Sequence, residues 1–189
     1  VCSLEDIIHD LLSRSQSGAR YVLQPRVRKH NLIEDLSLGG LCTARILTAL
    51  RLDGSCIVIV AGFKMPGGYS LTDNFSTGGV ASRINIMDGT LSSGKLLSAP
   101  LICHAIHPDT GGKIEGRHLP DWDEALQLCV RAHREFSEFA FVGWDVAFTN
   151  QGPLLVEGND HPGVNSLQVG SGVPLGSSPF CEVANELLK

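Results

Sequence analysis

FVGWDVAFTNQGPLLVEGNDHPG, residues Phe141 to Gly163, reads as two β-strands joined by a tight turn and followed by a loop. Asn150-Gln151-Gly152 supplies residues that tolerate a reversal, with β-branched and aromatic runs on either side. Side chains alternate along a strand, so Trp144, Val146 and Phe148 share one face while Gly143, Asp145 and Ala147 share the other. On the return strand Leu154 and Val156 point one way, and Leu155, Glu157 and Asn159 the other. A turn centred near Gln151 then sets Val146 opposite Val156 and Asp145 opposite Glu157.

Directly opposed residues in an antiparallel pair hold their Cβ atoms about 5 Å apart. Two ionised carboxylates at that separation repel unless a cation sits between them. With Asn159 beside them they form an all-oxygen set, which suits a hard divalent ion such as Mg²⁺ better than Zn²⁺. The alternative is a solvated outer face carrying two incidental acids.

Asp145 in one strand, Glu157-x-Asn159 closing the next and Pro162-Gly163 shortly after together resemble the metal-binding end of the ATP-grasp fold. The phrases GWDVAFTNQGPLLVEGN, DNFSTGG and HPDTGG…LPDWDE are similar to the sugar-transfer-associated branch, itself related to α-L-glutamate ligases. The resemblance runs from about Leu4 to Gln168. It implies an α+β domain, equivalent to the C-terminal part of an ATP-grasp protein, with an antiparallel sheet flanked by helices. It also implies Mg²⁺ and ATP as cofactors, with Asp145, Glu157 and Asn159 as metal ligands.

Composition leaves room for that reading. The 189 residues are 43% hydrophobic and 19% charged, ordinary for a soluble globular chain. A net charge of −5 argues against non-specific nucleic-acid binding. No apolar run approaches the roughly 20 residues of a membrane span, and no N-terminal signal pattern is visible. Six cysteines, including Cys42, Cys56 and Cys129, contain no CxxC pair and read as small buried hydrophobes rather than a disulfide framework. A cytoplasmic location is expected. The first residue is Val1 rather than Met, as expected of a processed chain or an excerpt.

SLEDIIHDLLSRS opens with a helix, Ser3 as N-cap and Asp6 three residues on, with Leu4, Ile7, Ile8, Leu11 and Leu12 along one stripe. Tyr21 to Pro25 reads as a short strand stopped by proline. On the resemblance it is the adenine hinge, with Gln24 matching the hinge glutamine; otherwise it is a plain edge strand. Thr43 to Leu52 reads as a strand covered on both sides, and Asp53-Gly54 as a hairpin turn before SCIVIVAGFK.

Arg45 inside such a sheet is costly to desolvate unless it meets an anion. The resemblance makes it the arginine that reaches toward the phosphates or the acyl-phosphate. Lys64 stands where the family usually has Arg, which keeps the charge but loses the bidentate fork. Either side chain could instead be a surface ion-pair residue. The Gly/Ser/Thr-rich run Met65 to Gly79 reads as a loop whose backbone can approach an anion, and Asn74 with Gly78-Gly79 resembles the family's phosphate-end loop.

ASRINIMDGTLSSGK reads as a second hairpin turning at Asp88-Gly89. His104 and His107 have a spacing compatible with a metal but no clustered partners. From Pro120 the clearest helix begins, Asp121 fitting the N-cap and Trp122, Leu126, Cys129, His133 and Phe136 forming one stripe. It is expected to cover the apolar face of the acidic hairpin. The stretch after Gly163 reads as loop until a short helix from Phe180.

The resulting expectation is one nucleotide- and metal-binding domain, residues 1–189, lacking an N-terminal domain and most of a lid. It would belong to an ATP-dependent ligase joining a carboxylate to an amine or similar nucleophile, both small molecules, with cell-surface polysaccharide modification as a candidate setting. The rival is a nucleotide-binding or interaction module without ligase activity. A metal-dependent hydrolase using Asp145 and Glu157 ranks last, because no nucleophile or His-based metal set accompanies them. Oligomeric state is not legible.

Overall fold

In a computed structural model, residues 3–16, 18, 20–21, 24–73 and 78–188 are described. Seven strands build one antiparallel sheet: β1 (Thr43–Leu50), β2 (Cys56–Met65), β3 (Val80–Ile84), β4 (Leu91–Leu96), β5 (Ala99–His104), β6 (Phe141–Thr149) and β7 (Gly152–Asn159). Their order is β5-β4-β3-β2-β1-β6-β7, so β1 lies inside the sheet between β2 and β6. Among the described residues the helices are α1 (Leu4–Gln16), α2 (Trp122–Glu135), α3 (Asn165–Ser171) and α4 (Phe180–Leu187), of which α2, α3 and α4 pack on the sheet, with a 3₁₀ turn at Asn31–Leu36. This is the expected α+β architecture. No helix among the described residues is long and apolar enough to cross a membrane.

The turns follow local chemistry. Gly54 takes φ +81° in the β1–β2 reversal, where Asp53 Oδ1 accepts from Ser55 N at 2.8 Å. Gly89 takes φ +72° between β3 and β4, and a Cβ there would lie 2.7 Å from the Trp122 ring. The capping box expected at the start of α1 is present: Ser3 N donates to Asp6 Oδ2 at 2.9 Å and Asp6 N to Ser3 Oγ at 3.1 Å. No residue of α1 is buried, and Leu4 and Leu12 stay exposed.

The back face of the sheet carries the main core. Ala44, Ile46, Phe63, Met65, Val146 and Phe148 are buried there against α2 and the Ile33 and Leu36 side chains of the 3₁₀ turn. Each such large apolar side chain contributes about 1.5–3 kcal/mol on burial. A polar chain crosses this core without an orphan. Trp144 Nε1 donates to Thr48 Oγ1 at 2.9 Å, that hydroxyl lies 2.7 Å from His133 Nδ1, and His133 Nε2 lies 2.9 Å from Phe139 O. The tautomer that satisfies all three places the imidazole proton on Nε2. His133 therefore packs, as expected, and locks α2 to β1 and β6.

The front face is divided. Leu47, Ala49 and Ile59 are covered by Leu167 of α3 and Val183 of α4. The β1–β6–β7 part beyond them bears the polar side chains described below.

Several local expectations are corrected. No strand forms at Tyr21, Gln24 or Pro25, while Val22 and Leu23 lie outside the described residues. The run after Gly163 is not all loop: α3 forms at Asn165–Ser171 and settles on β2 and β3, with a Gly62 Cβ position only 3.1 Å from Leu167 Cδ2. β5 was not anticipated. Asp121 occupies the N-cap of α2 but at φ +48° and without a side-chain capping bond. Phe136 remains half-exposed, although its ring lies 6.2 Å from that of Trp144, so Trp122 rather than Phe136 anchors α2.

Candidate functional site

Strand register assembles the open part of the front face. Arg45 on β1 pairs with Gly62 of β2 on one side and Asp145 of β6 on the other; Asp145 in turn pairs with Glu157 of β7. Thr43 pairs with Lys64. The side chains of Thr43, Arg45, Lys64, Asp145 and Glu157 thus emerge from one face across four strands.

The Arg45 guanidinium binds the Asp145 carboxylate as a fork, Nε to Oδ1 at 2.6 Å and Nη2 to Oδ2 at 2.8 Å. Lys64 Nζ lies 3.2 Å from the same carboxylate and 3.5 Å from Asp73 Oδ1. The Thr43 hydroxyl donates to Asp73 Oδ2. The result is a chain of alternating charge, Arg45–Asp145–Lys64–Asp73. Asp145 is only 6% exposed, so leaving it unpaired would be costly. Burial pushes the Asp73 carboxyl above its ordinary value, against the opposing pull of Lys64 and the Thr43 hydroxyl.

Gly143 makes room for this fork. A Cβ there would stand 2.5 Å from Pro162 Cβ and 3.2 Å from Arg45 Cδ.

The Asp145–Glu157 pairing depends on a β-bulge. From the turn, Thr149 pairs with Gly152 and the ladder runs regularly to Val146 opposite Leu155; the register then shifts, and Asp145 meets Glu157. Val146 therefore faces Leu155 and not Val156, which corrects the sequence reading. Leu154 joins Glu157 and Asn159 on the front face, and Leu155 packs against the core. The bulge, which places two residues of one strand against one of its partner, brings the two acids into register.

Glu157 is exposed and makes no ion pair with a described residue. Asn159 Nδ2 donates to Gly143 O at 3.3 Å, which leaves its Oδ1 as a free acceptor. No group of three or more His, Cys, Asp or Glu among the described residues could hold a metal, so a site here would need Asn159 beside Asp145 and Glu157. A carboxylate has about four lone-pair sites, and Arg45 and Lys64 do not use all of those on Asp145. The donors fit a hard oxygen-seeking cation.

The remaining predicted residues divide. Gly78 and Gly79 immediately precede Val80, which pairs with Met65 next to Lys64. A Cβ on Gly67 would lie 2.3 Å from Gly78 O, so the two ends of the glycine-rich loop touch. Asn74 lies outside the described residues. Gln24 is exposed and lines a cavity of about 660 Å³ with Arg26, Thr149, Gln151 and Leu154. It shares the Leu154 side of β7 with the acids but touches none of them through a hydrogen bond. His104 and His107 form no metal cluster; His107 Nδ1 accepts from Asp109 N at 3.3 Å, and Asp109 Oδ2 accepts from Gly68 N at 2.8 Å, so this segment braces the loop.

Sequence reasoning missed Asp73 and Thr43. Asp73 sits in a stretch without periodicity, and nothing local marks it; the available signal was that Lys64, facing Asp145, had charge to share with a second acid. Thr43 was hidden as the first residue of a strand read for its arginine.

The family model for sugar-transfer associated ATP-grasp proteins matches residues 2–178 of the chain. No curated protein and no solved structure matches it.

Proposed function

From the premise that the chain belongs to the sugar-transfer associated ATP-grasp family, we propose that it is the nucleotide- and metal-binding part of an ATP-dependent ligase. Membership supports ATP-dependent, ligase-like activity on small molecules. The finer reading is the joining of a carboxylate to an amine or similar nucleophile. A carboxylate oxygen attacks the γ-phosphorus, the bond to the bridging oxygen breaks, and ADP leaves. The nucleophile then attacks the acyl carbon, gives up its proton to solvent, and inorganic phosphate departs.

What supports this reading is the register of Asp145 with Glu157, beside Arg45 and Lys64 on the same open face. Asp145, Glu157 and Asn159 would hold Mg²⁺. Bound there, the ion would neutralise phosphate charge and orient the transferring group. Arg45 would steady the phosphoryl group through its planar fork, and Lys64 would act as a point charge. Each is drawn from an internal partner, so phosphate oxygens must compete with Asp145 and Asp73 for them. Gln24 would meet the adenine edge, and Asn74, Gly78 and Gly79 the phosphate end. Use of ATP accords with a cytoplasmic location, and the branch's association with sugar transfer accords with cell-surface polysaccharide modification.

Titration calorimetry with Mg²⁺ and ATP tests the site, followed by ADP release with a panel of carboxylates and amines. Binding that Asp145→Asn weakens by roughly tenfold or more, with carboxylate-dependent ADP release, is the expected result. Binding without turnover would mark a nucleotide-binding module, and no binding at all would overturn the reading.

A further inference from the structure

A second charged feature lies apart from the acidic hairpin. Arg26, Arg28 and Lys29 stand within four consecutive positions and line one cavity of about 670 Å³, with Asn31, Glu34 and Asn150. The chain is acidic as a whole, with a net charge of −5, so three cations gathered around one carboxylate are a local inversion of sign.

None of the three forms an ion pair with a described residue. Arg26 Nη2 donates to Gly39 O at 2.5 Å. Lys29 is only 8% exposed, and its ammonium donates to Ser37 O at 2.8 Å and Ser37 Oγ at 2.5 Å, both neutral oxygens. Arg28 is exposed, with no side-chain partner among the described residues. The Lys29 charge is felt by the Asp35 carboxylate, which is itself held by the Arg117 fork, so an anion nearer the ammonium would further offset the cost of its burial.

The frame around these charges is fixed by polar contacts of its own. Asn31 N donates to Asn150 Oδ1 at 3.1 Å, and Asn150 Nδ2 to Asn31 Oδ1 at 3.0 Å, tying the segment to the β6–β7 turn. His30 N donates to Phe148 O at 2.7 Å, and the Nδ1 of His30 accepts from Leu32 N at 3.0 Å. The arginines are therefore carried on backbone anchored to β6, and Lys29 is held by the loop that enters β1.

We propose that this pocket binds a small multivalent oxyanion, at a site separate from the Asp145–Glu157 centre. Arg26 and Arg28 would offer planar forks at the mouth, and Lys29 a point charge at the base. Carboxylate and phosphate present the same oxyanion chemistry to such groups, so the class is a compound carrying several of either. The inference does not depend on the nucleotide reading.

The test uses calorimetric titration of the full chain at low salt without Mg²⁺, with tricarballylate in one arm and inorganic phosphate in the other. Binding in the first arm alone assigns a polycarboxylate, and binding in the second alone a phosphate-bearing ligand. Arg26→Gln/Arg28→Gln should weaken the interaction by roughly tenfold or more, the loss of two charge-assisted contacts. Arg45→Gln should leave it unchanged, whereas it should impair ATP binding. Glu34→Gln, which removes the opposing carboxylate, should tighten it. The proposal is overturned if neither anion binds or if Arg45→Gln rather than the double variant removes binding. Loss of binding under saturating ATP, or a Glu34→Gln variant that binds no tighter, would overturn it equally.

Discussion

Arg45 and Lys64 reach the same carboxylate by different chemistry. Arg45 makes two parallel contacts to Asp145, and Lys64 one longer contact. Arg45→Lys keeps the charge but loses the fork and should destabilise the fold by about 1 kcal/mol; Arg45→Ala should cost about 2–3 kcal/mol. The second figure stays below the full penalty for a broken buried pair because Lys64 remains on Asp145. Urea midpoints measure both, and equal midpoints for wild type and Arg45→Ala would refute the argument. Asp35 gives a pH handle. Hydrogen bonding from Arg117, whose Nη1 and Nη2 lie 2.5 and 2.7 Å from its two oxygens, holds its carboxyl below the ordinary value of 3.8. A carboxyl lowered by folding stabilises the protein above the unfolded value, and that contribution disappears as pH falls through the folded one. The stability gap between wild type and Asp35→Asn should therefore be constant near neutrality and close below about pH 4. Asp73 works in the opposite sense: pushed up by burial, it favours the fold while protonated and loses that contribution as pH rises.

Two elements show how side chains from distant segments are held in register. The polar chain through Thr48 joins α2 to β1 and β6, so Thr48→Val would orphan Trp144 Nε1 and leave His133 Nδ1 only the Cys56 thiol at 3.6 Å. A loss of about 2–4 kcal/mol is expected, measurable as a lowered thermal midpoint. At the β6–β7 hairpin, the pairing of Asp145 with Glu157 was legible because turn residues and alternation bound it closely. The bulge between Asp145 and Val146 was not legible, since no single residue type encodes it and the free energy of packing Leu155 inward selects it. α3 escaped notice for a related reason. NSLQVGS lacks a helical stripe, yet Gly170 lets it approach Ala81, with a Cβ position 3.4 Å away, and tertiary contact supplies what local propensity lacks. Asp73 was illegible because its partners, Thr43 and Lys64, lie in strands before it, and only the closed loop brings it to them.

Across the whole molecule, the thiols record the division between core and surface. Cys42 and Cys129 are buried, and burial pushes each thiol up to about 12. Cys103 and Cys181 are exposed. Brief iodoacetamide treatment at pH 8 should alkylate Cys103 and Cys181 and spare Cys42 and Cys129 until denaturant is added, as read by peptide mass spectrometry; early labelling of Cys129 would contradict the packing of α2. Trp144 has a further consequence. It lies between Gly143 and Asp145 in sequence but points to the opposite side of the sheet, its ring 6.3 Å from that of His133 and 6.2 Å from that of Phe136. An occupant arriving at the carboxylates would tug the very backbone that carries this indole. A change in tryptophan emission on adding Mg²⁺ and ATP is therefore the expected optical readout of such an arrival, on a surface the fluorophore never meets.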